Sequence, residues 1–419
     1  MFGEQIKGID YDNGFRLTYV SRPSGLISSR LIVRSGGLNE VRGEEGLSHF
    51  LEHILANSGS ERISPEYIRN FKTSLGMANA STSRDFTTYV ADFLEDDLGQ
   101  YLDMLSECVF NPRYDHDVFE AERNRIFSEI SNKRISETTD LLDFYKLLFR
   151  SERHTYDNIG KTEVVGSATF DDLMKLYARG YSVSNAELIL VGNLPVNVAD
   201  VVEEHFGRFS SGVVPEKNHY PHVDPLHGQE RLFRIAPEQL NSSDPKNSKV
   251  DIVLGFLVPY DNPEEQSSAE IVSELLDSYL FNKISRQEGL VYSIYTDLDS
   301  RRNALAINVF AGAITSKYER TVDSIFREVG RFRSGGFSDA EFENMRRNMK
   351  YLLLKSLSLD STYANLLMKD KKGEYSLEHV VAKLDTMTPD MLRDAAGRYL
   401  PADRDSARYA MLVRSPYDL

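Results

Sequence analysis

Gly46-Leu47-Ser48-His49-Phe50-Leu51-Glu52-His53-Ile54-Leu55 is the stretch on which the reading of this chain turns. Leu47, Phe50, Leu51, Ile54 and Leu55 recur at helical spacing, which predicts an amphipathic helix with one apolar face. His49 and His53 are four residues apart and project from one side of that helix. Glu52, three after His49, stands beside them. Two imidazoles one turn apart can hold one Zn²⁺, and a carboxylate beside them can take a proton from the metal's water. The same residues also suit a plain amphipathic helix whose histidines cap or hydrogen-bond locally. A third ligand is what separates the two readings, because a catalytic zinc uses three protein ligands and keeps one position open.

The chain offers a source for that ligand. Residues 115–133 read as a strong helix containing Glu122-Arg123-Asn124-Arg125-Ile126-Phe127-Ser128-Glu129. Glu122 and Glu129 are two turns apart and share a face. On a mainly charged helix such a pair is ordinarily solvated; beside the histidine helix it is the natural place to look. Between the two helices, residues 76–94 read as one or two long strands whose first half is small and polar. If that half is a sheet edge, it is a template for an extended peptide. If it is an inner strand, the small residues simply sit under a helix.

Bulk properties narrow the function classes. The length of 419 residues suits two to three domains at roughly 150 residues each. A net charge of −15 lacks the basic footprint of a nucleic-acid binder, and it favours cationic substrates if the acid lines a cavity. Cys108 is the only cysteine, so there is no disulfide framework and no cysteine zinc site, and it is expected in a core. The opening Met1-Phe2-Gly3-Glu4-Gln5-Ile6-Lys7 has no secretory pattern, and no apolar run reaches the ~18 residues of a membrane span. These features lead us to expect a cytoplasmic protein.

In chain order, strands are expected at 15–20 and 29–34, and a helix at 65–74 with Ser64 as N-cap and Pro65 at its first position. Further helices are expected at 98–109, 141–150, 169–181 and 198–209, with a buried-type strand at 185–193. Residues 210–229 hold Pro215, Pro221 and Pro225 without periodicity and read as a linker. His219, His222 and His227 there fit no rigid ligand face and read as surface histidines. The rest of the chain then echoes the first half. Strands at 249–257, 291–296 and 304–310 and helices at 267–285, 317–331 and 338–356 repeat the order. Phe119-Glu120-Ala121-Glu122-Arg123 lines up with Phe342-Glu343-Asn344-Met345-Arg346, so Glu122 meets Met345 and Glu129 meets Leu352. The strand at 185–191 finds its echo at 407–413, while the helix at 267–285 has no H-x-x-E-H. The expected organisation is a metal-binding α/β domain over 1–211, a linker over 212–228 and a homologous metal-free α/β domain over 229–419. In the second copy the face corresponding to the two glutamates is expected to be packed.

With these residues in view, the chain resembles the M16 metallopeptidases (pitrilysin, insulin-degrading enzyme, mitochondrial processing peptidase), above all the short M16B type. The resemblance spans nearly the whole chain. It rests on the inverted zinc motif at His49 to His53, the segment Asn79-Ala80-Ser81-Thr82, the Glu122/Glu129 pair, the strand end Val191-Gly192-Asn193, and Gly289-Leu290-Val291-Tyr292-Ser293. It implies that His49, His53 and Glu129 bind one zinc, that Glu52 is the general base, and that Glu122 supports a ligand histidine. It implies that Asn79 and Ala80 lie on the strand that receives substrate, and that Tyr292 and an upstream arginine contact substrate from the second half. The fold it implies is α+β: two homologous α/β sandwiches, each an antiparallel sheet with helices packed on it, arranged as a clamshell. The family's arginine lies seven residues before the tyrosine. Here Ser285 stands at that position and Arg286 is six before. A one-residue deletion at the helix end restores Arg286 to the role; without it Arg286 points elsewhere. Ala56-Asn57-Ser58-Gly59-Ser60 also departs from the family's F-x-G-T and is expected to alter a loop, not the chemistry.

The activity implied is zinc-dependent hydrolysis of short or unfolded peptides, with Glu52 taking a proton from water and passing it to the leaving amine. Because this chain carries both the metal residues and the tyrosine, a homodimer is expected, with a heterodimer of related subunits as the other arrangement. Two other functions fit the family: a non-catalytic or partner-dependent assembly subunit, and a peptidase dedicated to one precursor or leader peptide.

Overall fold

The computed structural model describes residues 5–134, 137–259, 262–373 and 377–419. The first four residues, read above for a targeting pattern, lie outside them. The strands are β1 (Lys7–Asp10), β2 (Arg16–Ser21), β3 (Leu26–Val33), β4 (Met77–Thr82), β5 (Thr87–Leu94), β6 (Ala186–Gly192), β7 (Gln229–Ile235), β8 (Lys249–Val258), β9 (Val291–Arg301), β10 (Ala304–Ile314) and β11 (Tyr409–Ser415). The helices are α1 (Leu47–Asn57), α2 (Pro65–Ser74), α3 (Leu98–Phe110), α4 (His116–Arg134), α5 (Glu137–Phe149), α6 (Thr162–Ser167), α7 (Phe170–Gly180), α8 (Val198–Phe206), α9 (Pro263–Leu280), α10 (Tyr318–Arg333), α11 (Asp339–Ser358), α12 (Asp360–Lys372), α13 (Leu377–Thr386) and α14 (Pro389–Tyr399). A π-helical turn, Phe281–Gln287, continues α9. Among the described residues no helix is long and apolar enough to cross a membrane.

The internal repeat is visible in the sheets. One has the order β1-β2-β6-β3-β5-β4 and the other β7-β11-β8-β10-β9. Setting β1 aside, the two orders are the same: β2 and β7 each run parallel to the last strand of their copy, β6 and β11. All other neighbours are antiparallel. The sheets are therefore mixed, with a single parallel pairing in each, where the sequence suggested antiparallel sheets throughout. The echo of 185–191 in 407–413 is borne out, since β6 and β11 occupy equivalent places.

The chain forms two compact units, and neither is continuous in sequence. Unit 1 comprises Met1–Ile135, Tyr156–His219 and Ser356–Lys372; unit 2 comprises Ser136–Thr155, Tyr220–Lys355 and Gly373–Leu419. Thus α12, encoded in the second half, belongs to unit 1, and α5, encoded in the first half, belongs to unit 2. The halves drawn from the sequence are continuous because periodicity reports local structure and is blind to which sheet a helix joins.

The exchanged helices complete the burial of each sheet. The main core of unit 1 joins Leu31 and Leu188 of the sheet to Phe50, Leu51 and Ile126 of the helices. The main core of unit 2 likewise joins Leu254 and Ile307 to Leu275, Ile325 and Phe342. Every residue of β6 and of β11 is buried, so their opposite faces are covered as well. In unit 2 the cover is apolar: Phe144, Leu148 and Phe149 of α5 pack on Val253, Ala306, Ala410 and Leu412. In unit 1 it is polar. Arg30 of β3, 1% exposed, donates through Nε to Asn365 Oδ1 of α12 (2.8 Å), through Nη2 to Ser361 O (3.2 Å) and through Nη1 to Asp92 Oδ1 (3.0 Å). Glu187 of β6 accepts from Thr18 (2.9 Å) and Arg34 (2.8 Å) and pairs with Lys371 of α12 at 3.3 Å.

The local chemistry of the remaining elements follows the sequence. Ser64 Oγ caps α2 by accepting from Tyr67 N, with Pro65 at the first helical position. Cys108 is buried, and burial pushes its thiol up to about 12. Residues 210–228 carry no helix or strand; His219, His222 and His227 are exposed there, while Tyr220 and Leu226 are buried. On α11 the expected packing is realised at Met345, which is 5% exposed, and not at Leu352, which is 44% exposed. Phe342, Met345 and Met349 follow the helical stripe into the core, and Leu352 lies beyond its end.

Replacing Arg30 by Met is expected to destabilise unit 1 by about 3 kcal/mol, because Asp92 and the carbonyls of Ser29, Ala91 and Ser361 lose their common donor. Urea unfolding followed by circular dichroism reads this, and an unchanged midpoint counts against Arg30 as the pin for α12.

Candidate active site

Helix α1 begins where the chain turns through Gly46, whose φ of 100° lies in the left-handed region. A side chain is also sterically barred there, because a Cβ on Gly46 would lie 2.7 Å from Gly160 Cα. With no side chain at its N-cap, the helix is capped from outside. Glu40 accepts from Gly46 N (3.0 Å) and Ser48 N (2.7 Å), and Tyr156 donates its hydroxyl to the same carboxylate (2.6 Å). Burial pushes the Glu40 carboxyl up to about 7 against the pull of these donors. Leu47, Phe50, Leu51, Ile54 and Leu55 enter the core as the periodicity predicts.

Helix α4 lies against α1, joined through the Phe50 and Phe119 rings at 4.8 Å. Phe119, Ile126 and Ile130 form its buried stripe, and Glu122 and Glu129 flank that stripe on the side of the histidines. His53 Nε2 lies 3.1 Å from His49 Nε2. Glu129 Oε2 lies 3.5 Å from His49 Nε2 and 3.8 Å from His53 Nε2. The three side chains form a group able to hold a metal ion. Behind them, His53 Nδ1 meets Glu122 Oε2 at 2.7 Å. A carboxylate there requires the proton on Nδ1, which in the neutral imidazole leaves the Nε2 lone pair directed at the group.

This donor set fits zinc. A tetrahedron with zinc–nitrogen bonds near 2.0–2.1 Å has edges of about 3.3 Å, and the three separations here bracket that value. Burial and the neighbouring His53 pull His49 down to about 4, so it is neutral and available as a ligand. For His53 burial lowers the pKa, while the hydrogen bond to Glu122 and the surrounding carboxylates raise it and win.

Glu52 is 5% exposed and burial pushes its carboxyl up to about 7. It accepts a hydrogen bond from Thr82 Oγ1 at 2.8 Å. Thr82 is the last residue of β4, and β4 is the edge of its sheet. Asn79 and Ala80 lie on the same strand, Asn79 exposed and Ala80 partly so. The sequence thus located His49, Glu52, His53, Glu122 and Glu129, and the structure brings these five together. Tyr292 and Arg286 belong to unit 2. Tyr292, on the edge strand β9, donates to Asp251 Oδ1 (3.2 Å). Arg286 sits in the π-helical turn, donates to Asn282 Oδ1 (3.3 Å) and lies 5.0 Å over the Phe281 ring.

Three participants escaped the sequence reading. Thr82 ends the Asn79–Thr82 stretch, where nothing local signals its contact with Glu52. Arg125, between the two glutamates, approaches Glu129 Oε1 at 3.5 Å; its i+3 and i−4 spacing to them was the available signal. Asn57 closes α1 and donates to Glu122 Oε1 at 2.9 Å. The segment from 56 to 60, expected to alter only a loop, therefore begins inside the helix and touches the carboxylate behind His53.

His53→Ala removes one ligand nitrogen and the partner of Glu122, so the variant is expected to lose zinc. Native mass spectrometry checks this, and one zinc per chain in the variant would refute the ligand assignment.

Comparison with known proteins places this geometry in context. A family model described as Insulinase (Peptidase family M16) matches residues 18–143, and one described as Peptidase M16 inactive domain matches residues 167–349. The chain is 22% identical over 422 residues to a protein named uncharacterized zinc protease YmxG from Bacillus subtilis, covering 98% of each. It is 26% identical to one named uncharacterized zinc protease Rv2782c from Mycobacterium tuberculosis, over 91% of this chain and 86% of that one. Among solved structures, a protease from Helicobacter pylori shares its fold with a TM-score of 0.82 at 20% identity, over 99% of this chain and 100% of that one. The first family model spans the helices that carry His49, His53 and Glu129, and the second begins within the first copy of the repeat, before β6. By its sequence and its fold, the chain belongs to the M16 peptidase family.

Proposed function

We propose that this protein is a zinc-dependent endopeptidase acting on short or unfolded peptides. The observation that carries the reading is the placement of Glu52. It is a buried carboxylate held by Thr82, one residue from His53 and beside the His49–His53–Glu129 group. Zinc held by those three residues would supply an acidified water and a Lewis acid for the peptide carbonyl. Glu52 accepts the proton of the attacking water and delivers it to the leaving amine. Thr82 fixes the carboxylate for both transfers. An extended peptide adds to the open edge of β4 along Asn79 and Ala80, which ends at Thr82 and so leads the backbone to the base. Tyr292 and Arg286 contact substrate from the second copy of the repeat, and pairing of two chains, or with a related subunit, is part of the same proposal.

A second reading, a subunit without catalysis, is favoured by one observation. A structure titled peptidase M16 inactive domain from Pseudomonas fluorescens shares the fold with a TM-score of 0.78 at 14% identity. The full set of metal and base residues in the first copy supports the peptidase.

The test is hydrolysis of a mixed quenched-peptide library, with and without chelator and zinc add-back. Wild-type protein is expected to cleave in a zinc-restored manner. Glu52→Gln is expected to keep its zinc and lose about 10²–10⁴-fold in turnover. Equal activity in that variant would show that Glu52 is not the base. Bound zinc without cleavage points to a dedicated precursor substrate or a missing partner chain, and absence of both zinc and cleavage favours the non-catalytic subunit. Thr82→Val is expected to retain zinc and lower kcat about 10-fold with little change in KM, since it removes one hydrogen bond to a charged group. A KM effect alone would move Thr82 from base positioning to substrate contact.

A further inference from the structure

Glu122 uses both of its oxygens. Oε2 faces His53 Nδ1 at 2.7 Å, and Oε1 accepts from Asn57 Nδ2 at 2.9 Å. Asn57 is four residues beyond His53 on α1, so the two side chains share a face and flank the same carboxylate. The other hydrogen on Asn57 Nδ2 goes to the carbonyl of His53 (3.0 Å), which uses both donors of the amide. Its oxygen accepts from Lys72 Nζ at 3.2 Å. The partners fix the amide's orientation: an ammonium can only donate and a carboxylate can only accept, so nitrogen must face Glu122 and oxygen must face Lys72. Lys72 comes from α2, is partly buried, and also donates to Ala56 O (2.7 Å) at the C-terminal end of α1. A chain of hydrogen bonds therefore runs from Lys72 of α2 through Asn57 of α1 to Glu122 of α4, and from there to His53.

A carboxylate held by one bond can rotate about its terminal torsion, and its histidine partner then swings with it. Held at both oxygens, it has one orientation. Three helices meet at this point, and Asn57 is the residue that all of them touch. We infer that Asn57, backed by Lys72, is a positioning residue that locks Glu122 and thereby fixes the tautomer and direction of His53, setting the affinity of the His49–His53–Glu129 group for zinc. This role rests on the metal reading above and names a determinant that lies outside the motif itself. It makes the end of α1 part of the chemistry.

The experiment measures zinc affinity by competition with a chelating dye, with no dependence on turnover. Asn57→Leu, similar in size and without the amide, is expected to weaken zinc binding about 10-fold, the low end for groups that orient a metal ligand. In a Glu122→Ala background the same substitution is expected to change affinity less than about twofold, because the carboxylate it positions is gone. Lys72→Met is expected to weaken binding about threefold, again only when Glu122 is present. Equal losses in both backgrounds would show that Asn57 merely stabilises the helix end, and unchanged affinity in Asn57→Leu would overturn the role outright. Should Asn57→Leu not fold, the Lys72→Met pair of measurements decides by the same comparison. A wild-type chain that takes up no zinc overturns the metal reading and this inference together, whereas zinc uptake with no effect of Asn57 overturns the inference alone.

Discussion

The hydrogen bond between Glu122 and His53 is the contact on which the site depends. It joins two residues 69 apart in the sequence, on two different helices, and places the proton of His53 on Nδ1. Everything around it follows from the cost of burying polar groups. A carboxylate that is 12% exposed needs donors at both oxygens, and it finds them in an imidazole and an amide. A neutral imidazole facing a carboxylate presents its other nitrogen as an acceptor, and His53 Nε2 lies 3.1 Å from His49 Nε2. Two imidazole nitrogens and a carboxylate oxygen converging this closely need a cation among them, either a shared proton or a metal ion. The arrangement is therefore one able to hold a metal ion, built from contacts that each have an ordinary reason.

The scaffold meets the same demand for burial in a less local way. A sheet with one solvated face would leave β6 and β11 half exposed, yet both are buried along their whole length. Each is covered by a helix from the other half of the sequence. In unit 2 this cover is apolar at its centre, with Arg414 and Arg234 pairing with Asp140 of α5 at its rim. In unit 1 it centres on the buried Arg30 and on Glu187. The different chemistries give α5 and α12 distinct seats: the Phe144–Phe149 surface has no match on the charged face of unit 1, and Lys371 has its acid on β6. Equivalent helices of a repeated fold would otherwise compete for either sheet.

Much of this was legible in the chain. The helices α1, α2 and α4 were readable because caps and 3.6-residue periodicity are local, and the metal residues because H-x-x-E-H and a two-turn glutamate pair are local as well. The repeat was readable from one matched pentapeptide and the order of elements. What could not be read was long-range. The destination of α5 and α12 depends on which sheet has an uncovered face. The roles of Thr82 and Lys72 depend on which strand or helix comes to rest beside Glu52 and Asn57. Asn57 itself was in view, but its partner is a carboxylate on another helix, so the departure from the family pattern looked like a matter of loop shape. Similarly, the π-helical turn at Phe281–Gln287 leaves no mark in the periodicity of the preceding helix.

The second copy has no counterpart of this histidine–carboxylate pair, and burial gives the physical reason. If Met345 were a glutamate, its carboxylate would be buried at a position only 5% exposed, and without a histidine partner that would cost several kcal/mol. The histidine and the carboxylate behind it can therefore be lost only together, or nearly so. Replacing the pair with an apolar side chain turns the cost into packing: Met345 joins Phe342 and Met349 in the core of unit 2. No such coupling binds the position of Glu129, which is 36% exposed in its side chain, and its counterpart Leu352 is left largely in solvent. The buried member of the pair is thus the one whose burial must be compensated, and the exposed member carries no such cost. By that argument Glu122 answers to the histidine it serves, while Glu129 pairs through Oε1 with Arg125 and turns Oε2 toward His49 and His53.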